Sequence, residues 1–151
     1  MRVDTIGYEG ATPASFLAAL RDARVALLVD VRAVAMSRRP GFAKTRLAAN
    51  LDEVGIEYLH LRGLGTPADG RAAAKSGRHA EMHRIFREHM HSDAAQADLA
   101  TLVSIIQGGR RVCLMCFERD PAHCHRSLVV EALAKHLAIE VNHLFAEDEE
   151  Q

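Results

Sequence analysis

The chain has no apolar run approaching the roughly 20 residues that a membrane span requires, and its start lacks the apolar core of a signal peptide. Both absences predict a cytoplasmic protein without a membrane partner. Cysteine is scarce, three in 151 residues, and the number is odd. That excludes a disulfide framework in a chain of this size and predicts reduced thiols. Neither GxGxxG nor a P-loop occurs, so no nucleotide cofactor is expected. Internal repeats and low-complexity segments are missing as well.

What remains is the composition of an ordinary globular protein, 48% hydrophobic and 26% charged, long enough to bury one core. A single domain over residues 1–146 is expected, with an acidic, disordered tail over 147–151. The net charge of −1 hides an asymmetry. Residues 31–51 carry Arg32, Arg38, Arg39, Lys44 and Arg46 with no acid, whereas the tail supplies Glu147, Asp148, Glu149 and Glu150. A basic stretch suits phosphate or nucleic-acid contact, and it is equally the mark of a solvated face.

Taken in order, residues 3–8 read as a strand closed by Gly7 and Gly10. Thr12-Pro13 then opens a helix in cap-plus-proline order, with Phe16, Leu17 and Leu20 facing inward. Residues 26–31 form the most continuously apolar run, a central strand covered on both faces. It ends in Asp30-Val31-Arg32, whose acid and base lie two residues apart and point to the same side. A long basic loop over 33–42 leads to a helix over 43–54, ended by Gly55, and to a third strand over 56–61. Residues 63–77 are glycine-bearing and irregular, of the kind that lies over a site. Two helices, 77–91 and 93–107, precede a buried strand over 111–117, a helix from Pro121 to about 137 and a fifth strand over 139–145. The alternation predicts an α/β fold: a three-layer, doubly wound domain with a mostly parallel sheet of about five strands.

The richest stretch joins the fourth strand to its helix. Asp120 stands where an N-cap belongs and Pro121 at the first helical position. That places His123, Cys124, His125 and Arg126 in the opening turns, where free N–H groups and the helix dipole favour an anion. A thiol there, flanked by His and Arg, has a lowered pKa, so Cys124 is a candidate nucleophile; as a small buried hydrophobe it fits equally well. Glu118 at the strand mouth suits acid–base work or a grip on Arg126. A standard phosphatase cradle does not fit, because Cys116 and Arg126 are ten residues apart, no glycine lies between them and Pro121 removes a donor, whereas a looser sulfur-handling loop stays open.

A metal site drawn from Cys116, His123, Cys124 and His125 is not expected. No second ligand pair stands at zinc spacing, and consecutive Cys124 and His125 would point about 100° apart on a helix. Under about 0.2 equivalents of zinc should accompany the protein.

One combination is more specific than its parts. It comprises Thr5-Ile6-Gly7, Asp30-Val31-Arg32, Ser37-Arg38-Arg39 with Phe42, Tyr58 followed by Leu64-Gly65, and Leu114-Met115-Cys116-Phe117-Glu118-Arg119-Asp120-Pro121 ending in Cys124-His125-Arg126. Across nearly its whole length the chain resembles the domain-of-unknown-function family numbered 488. It departs after the DVR, where Ala33-Val34-Ala35 stand in place of the family's proline. The resemblance implies an α/β domain without an established activity and points, less directly, to DNA repair.

These readings predict a pocket for a phosphate-bearing or otherwise anionic ligand, a nucleotide or nucleic acid before a small metabolite. Arg32, Arg38, His125 and Arg126 would bind it; Glu118, Asp30 and Cys124 would supply any chemistry. No cofactor is expected, and the oligomeric state is not legible. A thiol-dependent enzyme using Cys124 and a non-catalytic binding module are the alternatives. Iodoacetamide at pH 6 separates the first of them, since a low-pKa thiol reacts there and a buried one does not.

Overall fold

Two apolar runs without an exposed residue, Leu27–Asp30 and Val112–Cys116, form the middle of the sheet. The protein is described from a computed structural model over residues 1–147; residues 148–151, most of the expected acidic tail, lie outside the described residues. Its elements run β1 (Arg2–Gly7), α1 (Pro13–Asp22), β2 (Leu27–Asp30), α2 (Lys44–Glu53), β3 (Glu57–His60), α3 (Ala68–Lys75), α4 (His79–His89), α5 (Asp93–Gln107), β4 (Val112–Cys116), α6 (Arg126–Ala134) and β5 (Glu140–Leu144). The strands form one sheet in the order β3-β2-β4-β1-β5, every pair parallel. A single three-layer α/β domain is what forms.

Strand alternation sends side chains to two separate cores. Val3, Val29, Val112 and Leu114 pack with residues of α3 to α6, whereas Ile6, Leu28, Cys113 and Met115 pack with α1 and α2. Local chemistry sets the helix starts. Thr12 and Ser15 make a reciprocal capping box with Pro13 behind it, and the Ser92 hydroxyl accepts from the Ala95 N–H. Among the described residues no helix is long and apolar enough to cross a membrane.

Two segments differ from the sequence reading, and both bear on the site. Residues 63–77 are not irregular: they hold the end of a 3-10 turn, Arg62–Leu64, and the whole of α3. The alanines at 72–74 carry helix propensity that outweighs Gly70, which packs close to Thr66 where a side chain would not fit. Pro121 does open a helical turn, with the Asp120 side chain accepting from the Ala122 N–H at 2.9 Å, but the turn is 3-10 and ends at His123. Cys124 is extended (φ −124°, ψ 143°), and a new helix starts at Arg126.

Candidate functional site

The register puts Asp30 opposite Met115 and Gly7 opposite Cys116, so β1, β2 and β4 end at one carboxyl edge. Ligands of parallel α/β sheets collect at such edges. Asp30 and Arg32 face the α1–α2 layer there. Arg32 donates to Asp30 through Nε (2.9 Å) and Nη2 (2.7 Å), and through Nη1 to the Phe42 carbonyl (2.8 Å) and the Tyr8 hydroxyl (3.3 Å). Tyr58 donates its hydroxyl to Asp30 at 2.6 Å. Burial alone would lower the Arg32 pKa, but the bond to Asp30 and its charge outweigh that and hold it above the usual range. Burial, and then Asp30, push the Tyr58 phenol up. This buried cluster fixes the start of the 33–42 loop; Asp30 is fully buried behind Arg32 and has no path to a ligand.

Arg126 is also structural. It is 0% exposed, the largest of the fully buried side chains, and its guanidinium donates to the carbonyls of Glu118 and, at 3.1 Å, Arg119. The turn it holds lies against Gly7, where an added Cβ would stand 1.7 Å from the Glu118 carbonyl oxygen; only glycine lets β1 pass so close. The N–H groups of Ser127, Leu128 and Val129 already donate to the carbonyls of Cys124 and His125. Three of the N–H groups expected to favour an anion are thus taken up by the protein's own carbonyls.

Below that turn lies a cluster of sulfur and imidazole. His125 Nε2 lies 2.7 Å from the Val31 carbonyl, which can only accept, so Nε2 carries a hydrogen and Nδ1 faces the sulfurs. In the neutral ring Nδ1 then holds the lone pair. That lone pair is 3.4 Å from Cys116 Sγ, with Glu118 Oε1 4.0 Å from the same sulfur. Cys124 Sγ completes the group: the ligating atoms of Cys116, Cys124 and His125 all lie within 4.8 Å of one another. Burial pushes the Cys124 thiol well up, and the neighbouring Cys116 sulfur adds to it. The lowered pKa expected of a helix-start thiol is thus reversed, because Cys124 sits inside the core and not on an exposed first turn. Burial pulls the His125 imidazole down, but the Cys124 sulfur, the Val31 carbonyl and Glu118 outweigh it and leave it raised.

A pocket of about 760 Å³ opens above this floor. Cys116, Glu118 and His125 line its base, and α3 and α4 form one wall with Arg71, Lys75, His79 and Met82. His123 stacks on His79, ring centroids 4.3 Å apart and nearly parallel, which ties the 121–123 turn to the start of α4. Val34, Met36 and Phe117 also line the pocket: Val34 and Met36 are exposed, and Phe117 stands edge-on to Tyr8 at 5.3 Å. Among the described lining residues the carboxylates are Glu9 and Glu118, and Glu9 accepts from the Arg119 N–H at 3.0 Å.

Of the residues expected to form the site, Arg32, Glu118 and His125 line this pocket, whereas Asp30, Cys124 and Arg126 stand behind its surface. Arg38 is exposed on the basic loop and is not among the lining residues. The sequence reading does not reach Arg71 and Lys75, because it takes their helix for a loop; the alanine-rich run at 72–74 is the available signal, and His79 opens α4, a helix the sequence does predict.

The family described as Domain of unknown function DUF488 matches residues 12–133. No curated protein matches the chain. No solved structure matches it.

Proposed function

Since the chain belongs to the DUF488 family, a domain of unknown function, we propose from its pocket that it binds a phosphate-bearing ligand, a nucleotide or a short single strand of nucleic acid. The observation that carries this is that one pocket is lined by both basic and apolar side chains. Arg71 and Lys75, with His79 and His123 beside them, offer a cationic surface to a phosphate, and Phe117, Val34 and Met36 offer an apolar one to a base. Arg71 spends only part of its fork internally, Nη1 donating to the Thr66 carbonyl at 2.9 Å. A volume near 760 Å³ falls within the range of small-molecule sites and suits a mononucleotide. Base–aromatic stacking tolerates any base, which fits a single-strand ligand and a setting in DNA repair. Three free cysteines suit the reducing cytoplasm.

The test is a calorimetric titration of wild type with adenosine monophosphate in phosphate-free buffer. Replacing both Arg71 and Lys75 by alanine should weaken binding at least about tenfold, or 1.4 kcal/mol. Both are exposed positions on a helix, where alanine is well tolerated. Added salt should weaken the wild-type interaction through screening. Unchanged affinity in the double variant removes the proposal.

A second reading, a thiol enzyme, rests on Cys116 and not Cys124. Only Cys116 meets the pocket, with its sulfur 3.4 Å from a histidine nitrogen. Iodoacetamide modification confined to Cys116 supports that reading, and no modification excludes it.

A further inference from the structure

We propose that Cys116, Cys124 and His125 form a zinc site at the pocket floor, with its fourth coordination position open to the ligand. The expectation of no metal rests on the lack of a second ligand pair and on Cys124 and His125 being consecutive residues of one helix. They are not on one helix: the extended backbone at Cys124 turns both side chains toward the end of β4, where Cys116 waits. Ligand atoms around a tetrahedral zinc stand about 3.5–3.8 Å apart, given bonds near 2.3 Å to sulfur and 2.0–2.1 Å to nitrogen. Cys116 Sγ and His125 Nδ1 are already 3.4 Å apart, and no pair in the group exceeds 4.8 Å. Small side-chain rotations close the set.

The surroundings also fit. A metal-bound histidine donates its other ring nitrogen to a carbonyl or carboxylate, and His125 Nε2 lies 2.7 Å from the Val31 carbonyl while Nδ1 faces the sulfurs. Two thiolates select a soft or borderline ion such as zinc over magnesium or calcium. They also cancel its two positive charges, which limits the cost of holding the ion among residues no more than 6% exposed. Three protein ligands leave one position unfilled, the pattern of catalytic and not structural zinc. That position faces the pocket, because Cys116 and His125 line it, and Glu118 stands beside Cys116 to hold or accept a proton from a bound water. The inference does not depend on the anion reading, since none of the three ligands is among the residues proposed to hold the phosphate.

Cobalt(II) is the probe. Metal-free full-length protein, reduced and in phosphate-free buffer without nucleotide, is titrated with cobalt(II) under anaerobic conditions. One equivalent should bind, giving tetrahedral visible bands and sulfur-to-cobalt charge-transfer absorption, both bleached by one equivalent of zinc. In Cys116→Ser and in Cys124→Ser the charge-transfer absorption should fall by about half or vanish, as one or both thiolates are lost. Cys113→Ser, a buried thiol on the opposite face of β4, should leave it intact. Wild type without these bands, or bands undiminished in both serine variants, overturns the site. The wild-type titration decides the matter even where a variant fails to fold.

Discussion

Asp30→Asn should destabilise the protein by about 3–5 kcal/mol, the cost of breaking a buried ion pair by removing one partner. Asp30 is 0% exposed and Arg32 6%. The variant therefore leaves a guanidinium inside the fold with one face of its fork turned to a neutral amide. Tyr58 loses a charged acceptor for its 2.6 Å bond at the same time. Arg32 also reaches the Phe42 carbonyl at 2.8 Å, so its loosening frees the far end of the 33–42 loop, which carries the lining residues Val34 and Met36. Urea unfolding reads the first effect as a lower midpoint at unchanged slope. A loss below about 1 kcal/mol, the range of an exposed pair, would mean that Asp30 is free to serve a ligand after all.

Arg126→Met is the second large effect, and it separates a brace from a binding residue. Methionine keeps most of the volume but leaves the Glu118 and Arg119 carbonyls without their donor. Both bonds are part-buried, and an orphaned carbonyl costs about 1–3 kcal/mol when fully buried, so at most roughly 2–6 kcal/mol should be lost in all. Removing a buried charge recovers part of its desolvation, which places the result toward the lower end of that range. Where the variant remains folded at low temperature, its adenosine monophosphate affinity should stay within about threefold of wild type, under 1 kcal/mol. A stable Arg126→Met protein that no longer binds the nucleotide would reverse the assignment and return Arg126 to the ligand.

The two results differ from the sequence reading for one physical reason. Periodicity and caps report on segments, and the strands at 27–30 and 112–116, the Thr12-Pro13 start and the Gly55 stop (φ +76°) are segment properties. Whether a charged side chain faces a ligand or its own backbone depends on the partners that tertiary folding brings. For Arg32 these are Tyr8 and Phe42, and for Arg126 they are the carbonyls of the very turn that introduces it. The Asp120-Pro121 signal was read correctly as a helix start, yet it does not state how long the turn will be. The break at Cys124 was therefore invisible, and with it the approach of Cys116 and His125 across nine residues of sequence. Basic charge misled in a related way. Arg38 belongs to the densest basic stretch and lies outside the pocket, while Arg71 and Lys75 come from a segment that looked like loop.

The proposed ligand is expected to place its phosphate against α3, not on the basic loop and not at the start of α6. A crystal structure of wild-type protein soaked with adenosine monophosphate tests it most directly. Phosphate density within hydrogen-bonding distance of Arg71 or Lys75, with the base against Phe117, is the predicted result. Phosphate density at Arg38 and Arg39, with the pocket holding only water, would contradict it.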